Sequence, residues 1–169
     1  MASGRRLLWA TIGLSLIAAA CAITPAGPPR DHPCAFVEPS AMAAALGIDS
    51  LAPREELDPT SENLCRYLDP ASGDQIVMVS VVAEETTAEE AKARTSLIVA
   101  DHSPDVRAIR GPSGAAVEAT TIERCRDRCT TSVFVSLPPY YFAVHLTKDY
   151  GDADDARRIT ELVLDPGFQ

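Results

Sequence analysis

Gln75-Ile-Val-Met-Val-Ser-Val-Val82 is the stretch of sequence that decides the fold. Most of its residues are β-branched, and such residues favour extended backbone. They are Ile76, Val77, Val79, Val81 and Val82. The turn-forming sequence Asp69-Pro-Ala-Ser-Gly73 comes before it, and a shorter strand pattern over residues 64–68 comes before that turn. We therefore predict two neighbouring strands, of which the one over residues 75–82 lies centrally in a sheet.

Two later segments, residues 132–137 and 141–147, alternate apolar and polar side chains with the period of a strand. We expect each of them to have one inner and one outer face. Pro138 and Pro139 lie between the segments, and proline cannot donate a ladder hydrogen bond, so a bend or an edge is expected there. Weaker strand patterns cover residues 106–109 and 115–123, on either side of the turn at residues 111–114.

Two helices are predicted in the first two thirds of the chain. Pro39 suits a first helical position and Gly47 a C-terminal cap, so residues 39–46 should form a short helix. Thr86 and Thr87 each stand three residues before a glutamate, which indicates capping boxes for a helix running to about residue 100. Its apolar side would carry Ala93, Leu97 and Ala100.

A third helix is expected near the C-terminus. Asp152 can cap it, and Pro166-Gly167 should end it. Its apolar stripe consists of Ala156, Ile159, Leu162 and Val163. Residues 49–62 are polar and contain Pro53 and Pro59, so they are expected to form a loop.

The order of these elements predicts the fold class. Helices and strands do not alternate one for one, as they would in a doubly wound parallel sheet. We therefore predict an α+β fold with an antiparallel sheet of about five or six strands and helices packed on it.

The N-terminal segment has the composition of an export signal. Arg5 and Arg6 supply positive charge, residues 7–17 are apolar, and three alanines precede Cys21. The stretch Ile17-Ala-Ala-Ala-Cys21 resembles the bacterial lipobox, whose cysteine receives lipid. A signal cut without lipidation and an uncleaved membrane helix remain as alternatives. All three place the domain outside the cytoplasm, and lipid on Cys21 would anchor it to the outer face of the cell membrane.

The chain accordingly divides into a signal peptide over residues 1–20, a proline-rich tether over residues 21–33, and one domain over residues 34–169. Removal of the signal deletes two of the 15 basic residues and none of the 24 acidic ones, so the mature charge is 13 minus 24, or −11. Nucleic acid is not expected as a partner, because phosphate neutralisation needs clustered lysines and arginines.

Four cysteines follow Cys21, at positions 34, 65, 125 and 129. An even number in an exported chain indicates two disulfides. Of the three possible pairings we favour Cys34 with Cys65 and Cys125 with Cys129. Zinc sites and redox-active motifs use paired Cys-x-x-Cys spacing, which is absent from the sequence, so no metal and no cofactor are predicted.

Several short motifs together resemble a known family. They are Cys21 after an alanine-rich signal, the opening Asp31-His-Pro-Cys34, the helix end Leu46-Gly47, and Cys65-Arg-Tyr67. The chain is similar in these motifs to a large family of actinobacterial lipoproteins of unknown function. The resemblance implies a compact α+β sandwich of the PsbP and Mog1 type and offers no catalytic residues to transfer.

The sequence contains no catalytic pattern, and we predict that the protein is not an enzyme. His145 falls on the face opposite Phe142 and Val144, which predicts a surface or second-layer histidine. His32 and His102 have no neighbours that suggest a site, and Ser113 lacks Gly-x-Ser-x-Gly spacing. The acids at positions 149, 152, 154 and 155 are interpreted as the N-terminal charges of a helix.

Two clusters are candidates for binding. One constrained loop of this acidic chain carries three arginines, Arg124, Arg126 and Arg128, which interleave with Cys125 and Cys129. Such a loop suits contact with an acidic protein or with lipid headgroups. A solvated hairpin tip is the simpler interpretation. The leading functional hypothesis is a non-enzymatic module that binds another envelope protein.

The second cluster is Tyr140 and Tyr141, which are candidates for the lining of an apolar groove, with core packing as the simpler interpretation. The alternative functional hypothesis is accordingly a carrier or sensor of an apolar small molecule or lipid. An envelope enzyme with a site assembled from scattered polar residues is the least favoured of the three.

The export hypothesis predicts the mass of the protein recovered from its own cell envelope. Denaturing mass spectrometry should show a chain that starts at lipid-bearing Cys21, with a mass lowered by two hydrogens for each disulfide. A chain that starts at another residue would contradict the lipoprotein interpretation.

Overall fold

The computed structural model describes residues 33–57, 62–82, 88–137 and 140–165. Several sequence predictions fall outside these residues. They are the signal peptide, Cys21, the tether up to His32, the capping threonines Thr86 and Thr87, Pro138-Pro139, and Pro166-Gly167. Within the described ranges, the helices are too short or too polar to cross a membrane.

The described chain contains three α-helices and seven strands. The helices are α1 (Pro39–Leu46), α2 (Ala88–Val99) and α3 (Ala153–Leu164). The strands are β1 (Ala52–Leu57), β2 (Glu62–Leu68), β3 (Gln75–Val82), β4 (Asp105–Arg110), β5 (Ala116–Cys125), β6 (Cys129–Leu137) and β7 (Tyr140–Thr147). Short 3₁₀ turns occupy Pro33–Ala35, Pro112–Gly114 and Lys148–Tyr150.

All strands belong to one antiparallel sheet in the order β1-β2-β3-β7-β6-β5-β4. The predicted α+β class with an antiparallel sheet is confirmed, although the sheet has seven strands instead of five or six. The strand over residues 75–82 lies inside the sheet as predicted, and β7 occupies the exact middle of the order.

The additional strand is β1, and the prediction of a loop over residues 49–62 was therefore wrong for residues 52–57. Its sequence, Ala-Pro-Arg-Glu-Glu-Leu, has little strand character. β1 lies at the edge and pairs only with β2. An edge strand uses one side of its backbone for pairing, so Pro53 and the charged side chains are tolerated there.

Helices cover both faces of the sheet. On the first face, α1 and α3 pack against an apolar cluster that includes Val79, Val133 and Val144. On the second face, Ile98 and Val99 of α2 pack against a smaller cluster. That cluster consists of Ile122, Phe134, Tyr141 and Ala143. The predicted outer faces of β6 and β7 are therefore also buried over much of their length.

The orientation of α2 differs from the prediction. Ala93, Leu97 and Ala100 are exposed, and Leu97 retains 81% of its exposure. The side of the helix that meets the sheet carries Ile98 and Val99, and the Thr95 hydroxyl lies 2.9 Å from the Tyr141 hydroxyl. Contact with the aromatic cluster fixes this orientation, whereas the apolar pattern of the helix alone is too weak to do so.

Asp152 caps α3, as predicted. Asp152 Oδ1 accepts hydrogen bonds from the backbone N–H groups of Asp154 and Asp155, at 2.8 and 3.0 Å. Asp155 Oδ2 accepts in return from the Asp152 N–H at 3.0 Å, which completes a capping box. The bonds from these N–H groups lower the pKa of the Asp152 carboxyl. They stabilise the start of the helix that covers the first face.

The N-terminal end of the domain is fastened to β2 at two points. A disulfide joins Cys34 to Cys65, as the sequence predicted. Two residues further along β2, the fully buried Tyr67 donates its hydroxyl hydrogen to the Val37 carbonyl at 2.8 Å. Burial is the main cause of the raised pKa of Tyr67. The Cys-x-aromatic pattern thus has a structural reason, since residues two apart in a strand point to the same face.

Replacing Tyr67 with Phe should lower the free energy of unfolding by about 1 to 3 kcal/mol, because the buried Val37 carbonyl would lose its partner. Urea denaturation measures the change. Tyr150→Phe is a matched control, since the Tyr150 hydroxyl has no hydrogen bond within the described part of the chain. Equal losses in the two variants would contradict the role assigned to the Tyr67 hydroxyl.

Candidate functional site

The hairpin between β5 and β6 is closed by the second disulfide. Cys125 and Cys129 pair directly in the strand register, and their sulfur atoms are bonded as predicted. Arg126, Asp127 and Arg128 form the tip between them, and all three are exposed. The disulfide restricts the loop, so the tip presents its side chains from a defined backbone.

The three arginines of this hairpin have different surroundings. Arg124 donates from Nη2 to the Ile98 carbonyl of α2 at 2.8 Å. Arg128 forms an ion pair with Asp74, in the turn between β2 and β3, at 2.9 Å. Arg126 has no side-chain partner among the described residues. The sequence-predicted cluster is therefore divided, and Arg126 is the member that remains available at the tip.

The two candidate groove residues do not line one groove. Tyr140 packs with the cluster of the first face, with its ring centroid 6.0 Å from that of Phe142. Tyr141 is 1% exposed on the second face, where it stacks with Phe134 and lies beneath α2. Adjacent residues of a strand point to opposite faces, and this separates the two rings.

The second face also contains a polar pair that the sequence interpretation missed. Ser132 of β6 and His145 of β7 are register partners, and Ser132 Oγ lies 2.8 Å from His145 Nδ1. Ser132 is 2% exposed, and the rings of His145 and Phe134 pack edge to face with centroids 5.9 Å apart. The hydrogen bond satisfies both polar groups and fixes the orientation of the imidazole.

His145 lies in a row of residues that crosses the sheet on its second face. The register runs from Arg54 to Arg66, to Met78, to His145 and to Ser132. On the other side of the histidine, Arg124 of β5 projects from the same face. Burial is the largest cause that lowers the pKa of His145 to about 4, followed by the positive charges of Arg124 and Arg66. The imidazole is therefore neutral at pH 7.

The sequence contains one signal that could have identified Ser132 and His145 as partners, namely the register of the β6–β7 hairpin. If Pro138 and Pro139 form the centre of the β6–β7 connection, positions equally distant from that centre are partners, and Ser132 and His145 are such positions. The prediction of alternating faces also placed both residues on the same side. Without the strand order, however, the sequence does not indicate that Arg66 and Arg124 flank the histidine.

A cavity of about 520 Å³ lies beyond the C-terminal end of α2, where β4 begins. Its lining includes Asp101, His102, Glu123 and Arg157. The largely buried Arg157 guanidinium forms ion pairs with Asp105, at 2.5 Å, and with Asp154. These ion pairs compensate the buried charge and join α3 to β4, so a structural role accounts for them.

No group of three or more metal-ligating side chains occurs within residues 33–57, 62–82, 88–137 and 140–165. Comparison of the chain with protein-family models, with curated proteins and with solved structures gives no match. Functional inference therefore depends on the chemistry of the residues themselves, above all on the hairpin tip and on the row around His145.

The low pKa of His145 predicts that stability falls as the pH is lowered from 7 to 5. The unfolded chain binds a proton near the ordinary pKa of 6.5, whereas the folded protein resists protonation down to about pH 4. Between these values the unfolded state binds more protons than the folded state. Lowering the pH therefore stabilises the unfolded state relative to the folded state. We expect this histidine to lower the free energy of unfolding by about 1 to 2 kcal/mol between pH 7 and pH 5.

Urea denaturation at both pH values tests this expectation in His145→Gln, which should lose most of the pH dependence. His102→Gln is the control, because it removes the other histidine of the described residues and leaves the pair of Ser132 and His145 intact, and it should retain the pH dependence. The same pH dependence in His145→Gln and in the unsubstituted protein would show that His145 does not titrate as described.

Proposed function

We propose that the protein is an extracytoplasmic lipoprotein, anchored to the outer face of the cell membrane by lipid on Cys21. In this proposal its folded domain is a non-enzymatic module that binds an acidic surface of another envelope protein. The contact is made by the tip of the β5–β6 hairpin, with Arg126 at its centre.

The proposed location is supported by the sequence and by the cysteine pairing. The alanine-rich segment ahead of Cys21 suits lipidation, and the mature chain uses its other four cysteines in two disulfides. Disulfides persist in oxidising compartments and are rare in the cytoplasm. Both observations favour a domain that functions after export.

The binding surface is proposed because of one observation, that Arg126, on a loop closed by a disulfide, has no side-chain partner in the part of the chain that the structure describes. The protein has a net charge of −9, yet this tip presents a guanidinium that no described carboxylate neutralises. Arg124 and Arg128 are held by Ile98 and Asp74, which anchors both sides of the tip. A restrained loop loses little conformational entropy on binding, and arginine suits carboxylates as partners.

We also propose that the sheet with its helices belongs to the PsbP and Mog1 type. This assignment follows from the resemblance of the cysteine, Leu-Gly and Cys-x-aromatic motifs to the actinobacterial lipoprotein family. The seven-stranded antiparallel sheet and the helix that follows its last strand are compatible with it. No activity follows from the assignment.

The binding proposal predicts that Arg126→Glu abolishes capture of the partner in the cell envelope. Charge reversal at the tip would replace attraction to an acidic surface by repulsion, which should reduce the crosslinked product at least tenfold. Crosslinking in intact cells, followed by co-purification and mass spectrometry, measures the product.

Lys92→Glu is the matched control, because it makes the same charge change at an exposed position of α2. It should leave the crosslinked product unchanged. Equal yields in Arg126→Glu and Lys92→Glu would contradict the assignment of the tip. Binding of the delipidated domain to anionic vesicles that depends on Arg126 would instead indicate lipid headgroups as the partner.

A further inference from the structure

We propose that the second face of the sheet contains a binding site for a small oxyanion, a phosphate or a carboxylate group. The site is centred on His145 and flanked by Arg66 and Arg124. It does not depend on the proposed partner contact, since Arg126 takes no part in it.

The strand register brings the three side chains to the same region. Arg66 of β2 pairs with Met78, which pairs with His145 of β7. On the opposite side, Arg124 pairs with Thr130, and Thr130 pairs with Thr147 of β7. Neighbouring strands lie about 4.8 Å apart, so the backbone of each arginine is about two strand spacings, or roughly 10 Å, from β7. The positive charges of both arginines act on the His145 imidazole from the two sides and lower its pKa.

Both guanidinium groups are restrained. Arg124 donates from Nη2 to the Ile98 carbonyl at 2.8 Å, which holds its head group over the second face beside the end of α2. Arg66 is held by Glu56, whose carboxylate lies 3.0 Å from Nε, and by the Gln75 side chain. A guanidinium has five N–H donors, so these contacts leave others to receive an anion.

The charge of this region favours an anion although the whole protein is acidic. Arg54, Arg66 and Arg124 lie on this face, and Glu56 is the carboxylate that pairs with the first two. Arg124 donates to the neutral carbonyl of Ile98, and this contact does not compensate the positive charge of the guanidinium. Fixed charges beside an apolar wall act more strongly than they do in open water.

The histidine supplies a neutral donor between the arginines. When Ser132 donates its hydroxyl hydrogen to Nδ1 of His145, the neutral ring carries its own hydrogen on Nε2. The ring is only partly buried, as are Leu64, Arg66 and Met78, because α2 packs on Ile122, Phe134 and Tyr141. An oxyanion at this position would receive hydrogen bonds from Nε2 and from the guanidinium groups, which are strong when the partner is charged.

Nuclear magnetic resonance of the whole exported chain, labelled with ¹⁵N at histidine, tests the proposal at pH 7. Inorganic phosphate and acetate are titrated separately, with chloride keeping the ionic strength constant. We expect the His145 ring signals to show the Nε2–H form and to shift with saturation in at least one titration. Saturation by phosphate alone identifies a phosphate site, and saturation by acetate extends the site to carboxylates.

Arg124→Gln should weaken the apparent affinity about tenfold, as expected for loss of one charge-assisted hydrogen bond. Arg66→Gln should weaken it as well, and this variant keeps the contact between Arg124 and α2. The control is Arg107→Gln, because Arg107 is exposed and lies on the first face. This variant should bind the anion with the affinity of the unsubstituted protein. The proposal is overturned if neither anion saturates up to about 100 mM, or if all three variants show the same affinity.

Discussion

The structure depends on the burial of both faces of β7, the middle strand of the sheet, and of its neighbour β6. Val133 and Val144 are completely buried on one face, while Phe134 and Tyr141 are almost completely buried on the other. Each such side chain contributes about 1.5 to 3 kcal/mol when it leaves water, so neither face can remain open. The chain therefore places α1 and α3 on the first face and α2 on the second, while the edge strands β1 and β4 keep mostly exposed side chains.

The unequal cover of the two faces explains where polar side chains collect. Two helices and the fastened N-terminal segment cover the first face, whereas α2 alone packs on the second within the described part of the chain. The row from Arg66 to Ser132 lies at the boundary between the covered and the open part of that face. Ser132 and His145 are buried enough to need each other as partners, and His145 remains exposed enough to meet a ligand.

Strong local signals were sufficient for much of the fold. The β-branched run of β3, the alternation in β6 and β7, and the cap at Asp152 all identified their elements. β1 was missed because an edge strand with a proline and three charged residues lacks the local pattern of a strand. The exposed side of α2 was mistaken for its buried side because the helix is only weakly amphipathic and its orientation is set by the cluster around Tyr141.

The arginines of the hairpin were recognised, but their division between α2, Asp74 and solvent depends on distant residues.

The sequence by itself determined the α+β class and indicated two disulfides with a favoured pairing, because these follow from composition, spacing and short-range patterns. The export signal stays a prediction. The tertiary structure decided which side chains share a site. Arg66 and His145 are 79 residues apart in the sequence, with Arg124 between them. β7 lies between the strands of the two arginines only because the chain returns to the middle of the sheet. Strand order is a long-range property, set by which faces must be buried together, and no local pattern encodes it.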